Sequence, residues 1–164
     1  SFDQRAKIFW ETLDICQSLW KGGPVSHKGE IFEFNDIWCH PIPPQGSDIP
    51  LLFGVKMTES NAQKIAKIGH GWIPIKTSRD FISEGSEKLN NAFKEAGRDD
   101  KPRIRGQLPT CVDSNGVPSV DLTLKELEKS MEAGLEEIEV FPINFAQSPD
   151  HLREVLELIG EIKK

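Results

Sequence analysis

Apolar positions follow two rhythms along this chain. At the start Phe2, Ala6, Phe9, Leu13, Cys16 and Trp20 recur at alternating spacings of four and three, the stripe of an amphipathic helix. Lys21-Gly22-Gly23-Pro24 stops it, with Gly for the C-cap and Pro barring continuation. Between residues 49 and 75 the rhythm changes. Ile49-Pro50-Leu51-Leu52-Phe53-Gly54 is a short continuous apolar run ending in Gly. A polar turn follows, then an amphipathic stretch over residues 59–69, then a second apolar run, Gly71-Trp72-Ile73-Pro74-Ile75. This is the pattern of a βαβ unit, and continuous apolar strands predict a parallel sheet buried on both faces.

The same alternation continues to the end. Ser78 is placed to cap a helix with the stripe Ile82, Leu89, Ala92, Phe93 and Ala96, ending at Gly97. A strand is expected over residues 103–110 and a turn at Asp113-Ser114-Asn115-Gly116. Thr123-Leu124-Lys125-Glu126 reads as a capping box for a helix running through Met131 and stopping at Gly134. A strand over residues 138–142 comes next. Ser148-Pro149 then opens a last helix with the stripe Leu152, Val155, Leu156, Ile159 and Ile162. Strands near 50–54, 72–76, 104–110 and 137–142 are therefore predicted to run parallel in sequential order. Ahead of them, residues 25–28 and 31–34 pair as a hairpin across Lys28-Gly29-Glu30, and Pro41-Ile42-Pro43-Pro44-Gln45 belongs to a loop.

The count is one helix and four βα units, an α/β chain equivalent to half of an eight-stranded (β/α)8 TIM barrel. In this division residues 1–21 are a leading helix, 24–48 a lid-like insertion and 49–164 the four βα units of one partial domain. An entire barrel needs about 250 residues. A doubly wound open parallel sheet is the rival fold.

Composition narrows the function classes. The 164 residues carry a net charge of −6, which argues against nucleic acid as a partner. No apolar run approaches the length of a membrane span, and no signal peptide pattern is visible. Cys16, Cys39 and Cys111 form no close pair, which fits a reducing cytoplasm. His27, His40, His70 and His151 are scattered without ligand spacing, so no metal site is expected. With only Met57 and Met131, and a start at Ser1 directly into a helix, the chain is expected to begin inside a longer one.

Candidate chemistry lies at the strand ends. Gly54 lets backbone approach a ligand, and Thr58 is an N-cap whose helix offers free amides to an anion. Lys56, Lys76, Thr77, Thr110, Cys111 and Asn144 follow the predicted strands, where barrel enzymes build their sites. Lys56 and Lys76 suit a phosphate or acidic group; Lys76, Thr77, Thr110 and Asn144 suit a substrate. Cys111 has no His partner and reads as a partly buried thiol. His70 precedes a strand, at the opposite end, and reads as structural.

Taken in order, the helix ending in Leu19-Trp20, the turn at Lys28-Gly29, Pro41-Ile42-Pro43-Pro44-Gln45, Ile49 to Gly54, and Asn61 to Gly69 before Gly71-Trp72 resemble the bacterial luciferase-like family. These are flavin- or deazaflavin-dependent oxidoreductases. The resemblance is strongest over residues 5–75 and implies the C-terminal half of a TIM barrel. It implies FMN or coenzyme F-420 as cofactor, with its phosphate near Gly54, Val55, Lys56 and Thr58, and hydride or oxygen transfer to a small molecule. Two departures stand out: Val55 where the family usually has a second Gly, and His70 where Asp is common. A non-catalytic phosphate- or nucleotide-binding module, or a self-assembling half-barrel, are the alternatives. Open strand edges at residues 51–53 and 138–141 and an open apolar mouth lead to the expectation of a homo-oligomer with little turnover alone.

Overall fold

The computed structural model describes residues 4–107, 109–146 and 148–160. Phe2 and Ile162, assigned above to helical stripes, and Leu108 of the predicted third strand lie outside them. The chain forms two compact units, Ser1–Pro50 and Leu51–Lys164.

The first unit holds helix α1 (Arg5–Trp20) and the antiparallel strands β1 (Val25–Lys28) and β2 (Glu33–Ile37). Gly22 and Gly23, both at φ +85°, take the chain out of the helix where the sequence indicated. The hairpin forms, but its second strand starts two residues later than residues 31–34 suggest. Glu11 on α1 is the reason. Its carboxylate accepts the backbone N–H groups of Glu30, Ile31 and Phe32 and contacts His27 Nε2 at 3.1 Å, drawing those residues out of the ladder. A Cβ on Gly29 would stand 2.1 Å from Glu11 Oε1, so only Gly allows this approach.

Burial works against the Glu11 charge, but the N–H of Phe32, His27, and the N–H groups of Ile31 and Glu30 outweigh it and hold the carboxyl below the usual carboxylate range. The support it gives is therefore present above the ordinary glutamate value and lost as pH falls through the lowered one. Glu11→Ala is expected to lower the exchange protection factors of the Ile31 and Phe32 amides at neutral pH, and acidification to lower them in the wild type once intrinsic rates at each pH are divided out. Equal protection in both proteins would remove Glu11 from this role.

The second unit is a four-stranded parallel sheet of β3 (Leu52–Phe53), β4 (Gly71–Trp72), β5 (Arg103–Gln107) and β6 (Glu137–Glu139), ordered as in the sequence. Helices α2 (Glu59–Ile68), α3 (Arg79–Glu95), α4 (Val120–Glu132) and α5 (Pro149–Gly160) follow the strands in turn. A doubly wound sheet would reverse strand order partway; this one does not. The strands are shorter than the apolar runs. Pro74, Pro109 and Pro142 lie just beyond β4, β5 and β6 and bring no N–H to a ladder.

The core lies between sheet and helices. Phe53, Ile65, Trp72, Ile82, Leu89, Phe93, Ile104, Leu127 and Val155 are all buried. Each contributes about 2 kcal/mol by burial. The other face corrects the expectation of a sheet buried on both sides with an apolar mouth. Along β5, Ile104 and Gly106 are buried while Arg103, Arg105 and Gln107 are exposed. Arg103 also pairs with Glu137 of β6. The period-two alternation of residues 103–107 puts polar groups on that face.

Capping also differs. Helix α4 is capped by Ser119, whose Oγ accepts from Leu122 N at 3.3 Å. Thr123 lies inside the helix, fully buried, with its hydroxyl accepting the N–H of Cys111 at 3.0 Å. The capping box at Thr123 was the stronger local signal, but a tertiary bond claims that hydroxyl. Thr58 does cap α2, accepting from Asn61 N, and Ser148 accepts from His151 N ahead of Pro149. His70 is structural, as expected. Its Nδ1 accepts from Leu51 N at 3.1 Å, and its carbonyl accepts from Arg103 N, fastening β3, β4 and β5 at their N-terminal end.

Candidate functional site

The segment from Gly54 to Thr58 leaves β3 and enters α2 under several constraints. Trp72 Nε1 donates to the Val55 carbonyl at 2.8 Å. Asn61 Nδ2 donates to the Lys56 carbonyl at 2.9 Å, and Thr58 N to the same oxygen at 3.0 Å. The carbonyls are thus tied back. Among the described residues no acceptor meets the N–H groups of Gly54, Val55 or Lys56. A loop with engaged carbonyls and uncommitted amides is suited to an anion.

Gly54 sharpens this. Its φ is outside the left-handed region, and a Cβ built on it would meet nothing within 4 Å. Neither the backbone nor the protein's own packing calls for Gly there. By contrast, Gly71 makes room for the Arg103 carbonyl, and Gly85 for the Trp72 ring.

Gly54 opens into a cavity of about 410 Å³ at the C-terminal end of the sheet, lined also by Ile73, Pro74, Ile75, Lys76, Thr77, Gln107, Pro109, Thr110 and Glu139. The structure therefore brings Gly54, Lys76, Thr77 and Thr110 around one space. Asn144 stands beside it, its Nδ2 donating to Thr110 Oγ1 at 3.3 Å. Ser130 Oγ donates to the Thr77 carbonyl at 2.5 Å and fixes that strand end from α4. Apolar Ile73, Pro74 and Ile75 supply a wall of the kind a flat ring can lie against, and Lys76 a cation next to them.

The remaining candidates face elsewhere. Lys56 and Thr58 line a second cavity of about 430 Å³ with Met57, Glu59, Trp72, Phe81, Glu84, Gly85 and Lys88. Lys88 donates to Glu84 at 2.6 Å, and that bond holds the Glu84 carboxyl below its usual range and the Lys88 ammonium above its own. The predicted phosphate loop is thus shared between two cavities: Gly54 on one, Lys56 and Thr58 on the other, Val55 between them in the chain. Cys111 is half-buried.

Gln107 and Glu139 escaped the sequence reading. Alternation of charged and apolar residues over 103–107 and 137–139 was the signal for them, since residues two apart share a face. No helix among the described residues is long and apolar enough to cross a membrane.

Comparison with known proteins gives the setting for this geometry. The family model described as luciferase-like monooxygenase matches residues 1–117. Uncharacterized proteins of Mycobacterium tuberculosis and Mycobacterium bovis are each 35% identical over 102 residues, 62% of this chain. The match covers 35% of each relative, so the chain spans about a third of the curated relatives it resembles. An F420-dependent secondary alcohol dehydrogenase, solved with an F420-acetone adduct, superposes with TM-score 0.69 and 17% identity over 85% of this chain and 57% of its own. The coenzyme F420-dependent tetrahydromethanopterin reductase of Methanopyrus kandleri gives 0.68 and 15% over 95% and 60%. A monooxygenase of Streptomyces bottropensis gives 0.61 and 17% over 97% and 51%. At such identities these likenesses speak to the fold, and their partial coverage fits a half-barrel.

Proposed function

The chain belongs to the luciferase-like monooxygenase family, and we propose that its strand-end cavity serves a flavin or deazaflavin oxidoreductase, with FMN or coenzyme F-420 as the cofactor. Gly54 and the uncommitted N–H groups of Val55 and Lys56, with the Lys76 ammonium nearby, would hold the phosphate, while Thr77, Thr110 and Asn144 face the substrate side; the side chains of Lys56 and Thr58 line the second cavity. The observation that carries this is Gly54, a glycine that neither φ nor packing requires, opening onto a cavity at the head of a loop whose N–H groups are uncommitted. The family likeness supports reading that anion as a cofactor phosphate, and the solved structures named for F420 support a deazaflavin as a candidate beside FMN.

The donor set fits such a group. Free N–H groups and a nearby ammonium suit a phosphate, and the Ile73–Pro74–Ile75 wall suits a planar ring. Bound there, the ring supplies hydride or oxygen chemistry; the protein contributes orientation and exclusion of water. Tying back the Val55 and Lys56 carbonyls keeps acceptor oxygens away from the phosphate. Ser130 and Asn144 hold Thr77 and Thr110 at the cavity, limiting the motion of the groups that position a reactant.

Titration with FMN and with coenzyme F-420, followed by ligand fluorescence, is expected to show saturable binding of at least one of them, competed by inorganic phosphate. Absence of saturation with either up to about 1 mM would overturn the assignment. Binding of phosphate alone, with no response from either ring, would point instead to a non-catalytic phosphate module.

A further inference from the structure

The sheet face turned away from the helices carries an ordered set of polar residues. Near its N-terminal end Arg103 is bonded to Glu137. One step along, Arg105 stands in register with Glu137 and adds its field to that carboxylate. At the C-terminal end the pairing changes character: Glu139 is in register with Gln107, a neutral carboxamide. Both line the cavity that holds Gly54, Lys76 and Thr77. Among the described residues no side chain bonds or pairs with the Glu139 carboxylate, and Lys76 is not within ion-pair distance of it. The cavity is therefore bipolar, with Gly54 at the head of the phosphate-loop candidate and the Lys76 ammonium on its β3–β4 side and a carboxylate with a carboxamide on its β5–β6 side.

This polarity fixes the direction in which a phosphate-bearing ring can enter. A phosphate is repelled by Glu139 and drawn to the Gly54 loop and Lys76. The opposite end of the ligand then meets Gln107 and Glu139. In flavins and deazaflavins alike, the pyrimidine edge of the ring presents carbonyl, imide N–H and carbonyl in sequence. We propose that Gln107 and Glu139 read this edge, Gln107 donating its amide N–H to a ring carbonyl and Glu139 accepting the imide N–H. The pair is a specificity determinant that rests on the cofactor assignment above. It accounts for recognition of either ring type, because the edge is common to both. The bond to Glu139 is charge-assisted and is the stronger of the two.

The experiment compares FMN with its N3-methyl derivative, and 5-deaza-FMN with its N3-methyl derivative, by fluorescence titration. Wild-type protein is expected to prefer the unmethylated ring by about tenfold or more. Glu139→Leu is expected to abolish that preference, and Glu139→Gln, a neutral acceptor of the same shape, to keep part of it. Gln107→Leu weakens both ligands alike. Competition by inorganic phosphate stays unchanged in all three variants, since that end of the site is untouched. Equal affinity of the wild type for methylated and unmethylated rings, or an unchanged preference in Glu139→Leu, would overturn the assignment of the edge while leaving the cofactor site standing. Failure of all four chromophores to bind would bring down the cofactor assignment and this inference with it.

Discussion

Gly54→Asp is expected to leave the fold of the second unit intact and to weaken binding of the phosphate-bearing cofactor by about a hundredfold. The first half follows from space. A Cβ at this position meets no atom within 4 Å and the backbone is outside the left-handed region, so the side chain enters neither a clash nor a strained conformation. The second half follows from charge and access. A carboxylate at the mouth of uncommitted N–H groups repels a phosphate and competes for the same donors, and loss of about two charge-assisted bonds accounts for the magnitude. Gly54→Ala separates the two causes, for it blocks close approach without adding charge and should give a smaller loss. Thermal unfolding and cofactor titration of both variants check the pair of claims. An Asp variant that melts like wild type yet binds cofactor as tightly would show that the loop has no part in binding.

What the sequence made legible was whatever depends on local pattern. The 3.6-residue stripes of α2 through α5 and the Gly and Pro stops mark the βα rhythm, and the structure keeps that rhythm in sequential order. Thr58 and Ser148 cap as their neighbours indicate. What was not legible depends on partners distant in the chain. Glu11 reaches the turn after β1 across some twenty residues, and nothing around residue 11 announces it. Thr123 looks like a cap until Cys111 comes to it from the preceding loop. The candidate site divides in the same way. Strand-end positions such as Lys76, Thr77 and Thr110 follow from knowing where strands stop, and they share one cavity. Glu139 requires the register of β6 on β5, which no single-chain pattern supplies. Only the parity of charges along residues 103–107 and 137–139 hinted at a polar face.

Trp72 ties the core to the loop, and its replacement is expected to have the largest effect on stability. The side chain is fully buried, its ring packs against Phe81 with centroids 5.7 Å apart, and its indole N–H holds the Val55 carbonyl. Trp72→Ala removes that volume from a packed layer and should cost about 3–5 kcal/mol in urea unfolding. Trp72→Phe keeps much of the apolar body but loses the donor. It should cost less stability and still weaken cofactor binding, because the Val55 carbonyl is no longer drawn away from the phosphate position. Gly85 supplies an internal control. A Cβ there would stand 2.3 Å from the indole, so Gly85→Ala should destabilise the wild type by about 1–3 kcal/mol through overpacking. In a Trp72→Ala background the same methyl enters vacated space, and the helix propensity gained over Gly should make it stabilising by up to about 1 kcal/mol. A double-mutant cycle therefore ought to show strong non-additivity between residues 72 and 85. Additive effects would mean that the indole does not rest on that glycine, and an unchanged cofactor affinity in Trp72→Phe would mean that the loop is held by Asn61 and Thr58 without it.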